Sequence, residues 1–132
     1  MMNINVAKKK NFRIEQSREK LKISSLMLEK ELYNDSLIYS YLSMFYAVRV
    51  LLINNEVDSD DHNRILELVR EYYDPTGWTE LDMVEILQKA KTFKEMLDDD
   101  DGIRVPREQA ETFNSNARKI LDEVLKVAET IY

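Results

Sequence analysis

Hydrophobic positions crowd most densely into residues 35–54. Leu37, Tyr41, Met44, Val48 and Leu52 trace one helical stripe, and Ile38, Leu42, Phe45, Arg49 and Ile53 trace the next. A surface helix needs a single apolar face, so a helix apolar on several faces predicts packing against several neighbours. This stretch is therefore expected to be the central helix of a bundle. Beyond Asp35, Arg49 is its one charge, and that charge must find a partner or reach solvent.

Upstream, Ile14, Leu21, Leu28 and Leu32, with Ser17 and Ser25 on the same side, follow the helical period and predict a first helix over residues 15–33. Ile23, Leu26 and Met27 widen its face, and the serines suit a close approach to a neighbour. Residues 1–13 are polar and aperiodic and are expected to form a flexible basic leader, leaving 14–132 as one domain. Asn34 or Asp35 is the expected cap of the central helix, and so short a link predicts antiparallel neighbours.

A third helix is expected after the acidic connector, capped by Asp58, Ser59 or Asp60, with Ile65, Leu66, Val69, Tyr72 and Tyr73 facing inward and His62 extending that stripe. Asp74, Pro75, Thr76 and Gly77 form a stop signal. Thr79 is the expected cap of a fourth helix, with Asp82 three places on and a Trp78–Met83 staple. That helix uses Met83, Ile86, Leu87, Ala90, Phe93 and Leu97, and the aspartates at 98–101 oppose its dipole and limit its length. Pro106 opens a last helix whose stripe is Ala110, Phe113, Ala117, Ile120, Val124, Ala128 and Ile131. The expected fold is all-α, an up-and-down bundle of four to five helices.

Composition narrows the function. With 132 residues, 44% apolar and 33% charged, the chain has the makeup of an ordinary globular domain. Two glycines exclude a glycine-rich phosphate loop, and zero cysteines exclude disulfides and thiolate metal sites. No apolar signal segment opens the chain, and polar residues interrupt the central run, so neither export nor a membrane span is expected and the expected location is the cytoplasm. The net charge of −6 divides into +5 over residues 1–24 (seven Lys/Arg against two Glu) and −11 over the rest. An acidic total argues against a broad nucleic-acid surface.

Candidate chemistry is sparse. The acidic runs at 58–61 and 98–101 lack the spaced ligands and tight turn of a cation loop and read as solvated charge, so neither a metal nor another cofactor is expected. His62 is the one side chain whose ordinary titration range lies near neutrality. The tyrosines at 33, 39, 41, 46, 72 and 73 suit packing or an interface, each presenting a large apolar body and one polar handle. A ligand pocket, were there one, would be lined by Tyr39, Tyr41, Tyr46 and Tyr72. Arg49 suits a structural ion pair, with Glu29, Glu56 or Asp98 as mates.

Residues 31–73 resemble the HEPN superfamily of small helical domains, whose second helix carries a Tyr-rich, Met-Phe, Ala-Ala-Arg, Leu-Leu pattern. Tyr41, Met44, Phe45, Ala47, Arg49, Leu51 and Leu52 occupy those places, and Asp61-His62 matches a Ser-His at the start of the next helix. Tyr46 stands where many members have histidine, and Leu42 where many have a second tyrosine. The likeness extends more loosely over 17–132. It implies a bundle of four to five helices, a dimer, and either metal-free RNA cleavage, as in toxins of toxin–antitoxin pairs, or non-catalytic binding beside a nucleotidyltransferase.

Catalytic members place an Arg five to seven positions before a His, and that motif is absent: positions 55–57 are Asn, Glu and Val, and in the fourth helix Lys94 replaces Arg while Asp98 keeps the carboxylate with no histidine following. Lysine cannot reproduce the bidentate guanidinium fork. The resemblance then implies an interaction or scaffold module, homodimeric or paired with a nucleotidyltransferase-like or antitoxin protein, with Tyr41, Phe45, Tyr46, Arg49 and Asp98 at the interface. The alternatives are a metal-independent RNA-directed toxin using Arg49, Lys94 and His62, and a bundle binding a nucleotide or other small ligand. The scaffold reading predicts an exposed apolar, Tyr-rich patch on the central or fourth helix; the enzyme reading predicts that its three groups converge on a basic cleft.

Overall fold

The computed structural model describes residues 4–54, 57–72 and 82–131. Among them the chain forms α1 (Ile4–Glu29), α2 (Tyr33–Asn54), α3 (His62–Tyr72), α4 (Met83–Asp99) and α5 (Arg107–Ile131), with no strand. Helix α2 is the centre and touches each of the other four. Its first stripe is sealed: Leu37, Met44, Val48 and Leu52 are fully buried, and Tyr41 nearly so. Its second stripe is mixed, with Phe45, Arg49 and Ile53 buried and Ile38 and Leu42 partly so.

The direction of each helix follows from what packs at the two ends of α2. At its start, Leu37 clusters with Leu97 from the end of α4 and with Ala110 and Phe113 from the start of α5, and Leu28 from the end of α1 joins them. Thus α2 and α5 run one way and α1 and α4 the other, an up-and-down bundle with α3 as a short cross-piece. The larger core surrounds the second half of α2, where Leu51, Ile65, Leu87 and Ile120 bring in α3, α4 and α5. Burying each such aliphatic side chain is worth about 1.5–3 kcal/mol.

Serines let α1 and α2 approach closely. Ser17 Oγ donates to the Ser43 carbonyl at 2.8 Å and Ser43 Oγ to the Ser17 carbonyl at 2.9 Å. One turn-pair further, Ser24 Oγ donates to the Ser36 carbonyl at 2.8 Å and lies 2.7 Å from Ser40 Oγ. Asn114 Nδ2 of α5 donates to Ser24 Oγ at 3.0 Å and to Ser25 Oγ at 3.1 Å, tying a third helix into the seam. Ser24, rather than the expected Ser25, faces α2 directly.

Several boundaries differ from expectation. The polar leader is helical from Ile4, so the first helix is Ile4–Glu29 rather than 15–33. Polarity concealed this because Lys10 is 5% exposed and Arg13 reaches the α2–α3 connector, so long charged side chains pack there through their aliphatic stems. Helix α1 stops where Glu31 takes φ = 62°, which leaves Leu32 exposed rather than on the inward stripe. Leu26 likewise faces outward.

Neither Asn34 nor Asp35 caps α2, which already includes Tyr33. Asn34 instead donates through Nδ2 to the Ile103 carbonyl at 2.7 Å and accepts from Val105 N–H at 2.8 Å, pinning the approach to α5. Asp61, not Asp58, Ser59 or Asp60, caps α3 by accepting from the N–H groups of Asn63 and Arg64. Asp82 caps α4 through the Glu85 N–H at 3.0 Å, and the expected cap Thr79 lies outside the described residues. Tyr72, expected inward, is exposed. The Trp78–Met83 staple, the stop signal at 74–77, Tyr73, and the Ala128 and Ile131 side chains lie outside the described residues.

By length and composition alone, residues Tyr33–Ile53 could cross a membrane, contrary to the sequence reading, yet 78% of that window is buried inside the bundle. Its apolar faces are occupied by protein, as in a core helix.

Candidate functional site

Tyr41, Phe45 and Arg49 recur every fourth residue on α2 and form one ridge. The first residue of α3, His62, lies over it. Its ring stacks on Phe45 with centroids 3.9 Å apart and planes 16° apart. Its Nδ1 lies 2.5 Å from the Tyr41 hydroxyl, and when that hydroxyl donates, the ring proton sits on Nε2. Tyr46 meets the Phe45 ring edge-on at 5.7 Å, and the Arg49 guanidinium lies 5.4 Å from the Phe45 centroid. Phe45 is therefore an apolar plate with an imidazole on it and a guanidinium beside it.

What holds His62 there is the connector before it. Arg49 makes a two-pronged ion pair with Asp58: Nε donates to Oδ1 at 3.0 Å and Nη2 to Oδ2 at 3.1 Å. Asp58, not Glu29, Glu56 or Asp98, is thus the mate of Arg49. Arg13 of α1 stands 3.6 Å from the same carboxylate, so one aspartate joins α1, α2 and the connector. Burial alone would raise the Asp58 pKa, but the Arg49 hydrogen bonds, the Ser59 backbone and the charges of Arg49 and Arg13 together hold it below the ordinary carboxylate value.

Helix α4 supplies the remaining charge. Lys91 pairs with Glu95 at 2.6 Å and Lys94 with Asp98 at 2.8 Å, both within the helix. The His62 pKa is lowered first by burial and then by the positive charges of Lys94, Lys91 and Arg49, against the opposing pull of Asp61. Burial, followed by the Glu95 charge, raises the Tyr41 hydroxyl well above its ordinary value. The imidazole is neutral at neutral pH, and the phenol stays protonated.

Of the three candidate catalytic residues, Arg49 and Lys94 both lie near enough to His62 for their charge to act on its ring. Arg49, Lys91 and Lys94 are each paired with a carboxylate, and His62 is closed in by Tyr41 and Phe45. A groove of about 540 Å³ lies elsewhere, along α4 and the end of α3, lined by Arg70, Val84, Gln88 and Phe93 among others. None of Tyr39, Tyr41, Tyr46 and Tyr72 lines it.

Sequence reasoning missed Asp58, Arg13, Lys91 and Glu95. The four-residue step from Lys91 to Glu95 was legible, as was the step from Leu87, which sets Lys91 on the buried face. The contact from Arg13 to Asp58 spans most of α1 and α2 and left no local signal.

A family model described as the HEPN domain matches residues 11–127. The chain is also similar to a protein of Methanocaldococcus jannaschii that bears the name "Putative toxin", with 26% identity over 98 residues, covering 74% of this chain and 67% of the relative.

Proposed function

Because the chain belongs to the HEPN domain family, we propose that it works as a protein-binding module, in a homodimer or with a small protein partner of the nucleotidyltransferase or antitoxin kind, and not as an RNA-cutting enzyme. The observation that carries this reading is the state of the cations. A phosphate-holding cleft needs a cation free to meet the phosphate. Here Arg49 spends its fork on Asp58, while Lys91 and Lys94 each face a carboxylate four residues on. The imidazole packs as a wall group, its Nδ1 engaged by Tyr41.

The likeness to a protein named as a toxin supports a toxin–antitoxin setting and makes RNA cleavage the competing outcome. Native mass spectrometry of the natively expressed protein tests both. A homodimer, or a one-to-one complex with a second protein, free of RNA and inert toward RNA in chelator, is the expected result. A partnerless monomer overturns the reading. So does metal-free RNA cleavage that is lost in His62→Ala.

A further inference from the structure

The bundle leaves one face of α1 without an intramolecular role. Helix α1 meets α2 through Ser17, Leu21 and Ser24, and at 100° per residue Phe12, Ile23 and Leu26 lie on the opposite side, within roughly 60° of one another. Phe12 is 60% exposed and Leu26 44% exposed, and Ile23 is half-buried. These are not positions of the central or fourth helix, where an exposed apolar patch was expected. The Arg13 guanidinium lies 5.9 Å from the Phe12 ring centroid, and the ring is still mostly exposed.

Charges flank this face in a seven-residue series of alternating sign: Lys8, Glu15, Lys22 and Glu29. A seven-residue repeat keeps side chains on one line of a helix, and such flanking charges select the partner and its orientation. Parallel pairing of two such helices sets this flank against the opposite flank of the second copy, where Lys9, Gln16 and Met27 offer no alternating partners. Antiparallel pairing about a point between Arg18 and Glu19 sets Lys8 opposite Glu29 of the second copy and Glu15 opposite Lys22 of the second copy. Two-fold symmetry repeats both pairs. The same register lays Phe12 beside Ile23 and Leu26 of the second copy, with Gln16 and Glu19 at the polar centre.

We propose that this outer face of α1 is a self-complementary docking surface on which two copies of the chain pair antiparallel. The proposal rests on the protein-binding reading and names its partner as a second copy. Glu15 and Glu19 now contact Arg18 and Lys20 at 3.2 and 3.8 Å. These pairs are exposed and weakly held, so an incoming charge can share them.

A charge swap tests the pairing on the full chain, by sedimentation velocity across a concentration series. Glu15→Lys and Lys22→Glu, made singly, each create like-charge contacts in both halves of the pair and should raise the dimer Kd about tenfold. Made together they exchange the two signs, and the Kd should return to within about threefold of the starting value. Because the chain holds no cysteine, the double variant Phe12→Cys/Ile23→Cys gives an independent readout. The two positions lie about 16 Å apart along one helix, too far for a bridge within it, so oxidation should yield a covalent dimer. A dimer whose Kd ignores all three charge variants and that does not cross-link overturns the α1 pairing but leaves the protein-binding reading on another face. A chain that neither self-associates nor carries a partner overturns both.

Discussion

His62 shows how one residue can lie at a site and still be spoken for. Its ring is held by stacking on Phe45 and by the Tyr41 hydroxyl, and burial with three nearby cations disfavours its charged form. The folded pKa lies below the unfolded value of about 6.5, so in the window between the two the unfolded chain binds the proton first. Stability conferred by the neutral ring is present above that window and falls as pH drops through it. As the sole histidine, it can be followed by NMR through its ring C–H shift, whose midpoint is expected below 6.5. His62→Gln should remove this pH dependence from urea-unfolding curves. A midpoint above 6.5 would contradict the geometry.

Asp58 carries the opposite sign. Its pKa is depressed by two arginines, so its stabilising effect is present above the unfolded value of about 3.9 and is lost as pH falls through the lower folded value. Asp58→Asn leaves the Arg49 side chain, 8% exposed, without its carboxylate partner. The expected cost is about 2 kcal/mol at pH 7 by urea unfolding, at the low end for a broken ion pair because Asp58 is 23% exposed. The difference from the parent should shrink as pH falls below about 3.9 and through the depressed folded value.

Among elements, the α1–α2 seam decides most. Its serines exchange hydroxyl and carbonyl bonds across two helices, so the interface depends on small side chains that satisfy one another. Ser24→Ala removes the hydroxyl that receives Asn114 and lies against Ser40; a cost of about 1–2 kcal/mol in thermal or urea unfolding is expected. Ser24→Leu is more apolar, but it forces the helices apart and should cost at least as much, about 2–3 kcal/mol. Equal or greater stability for the leucine variant would show that close approach does not matter here. Cap assignment is the other element-scale lesson. Acidic and hydroxyl residues cluster before α3, and several satisfy the chemistry of a cap equally well. Asp61 takes the role because Asp58 is drawn to Arg49 and Ser59 Oγ accepts from the Asp61 N–H.

At the scale of the whole molecule, the bundle occupies every face of α2 and leaves one face of α1 outward. In α2, Tyr41 and Phe45 are inside, as is Arg49, while Tyr46 is partly covered and Asp98 of α4 is committed to Lys94. Of the expected interface residues, these offer little to a partner; Phe12 and Leu26 offer more. The charge swap on α1 is therefore the assay that connects fold to function.

The amino-acid order alone settled that the molecule is helical, that α2 is central, that α1 and α2 are antiparallel, and that Ala110, Phe113, Ala117, Ile120 and Val124 face inward on the last helix. These properties follow from a 3.6-residue period repeated over many turns, and local repetition survives without knowledge of neighbours. The HEPN likeness was also legible, because its residues lie within one helix and the start of the next. Tertiary structure decided the rest: the helical state of the polar start, the union of Arg13, Arg49 and Asp58, the placement of His62 on Phe45, and the outward aim of Leu26. Each depends on which distant side chain arrives to share burial or charge, and such meetings have no period along the chain.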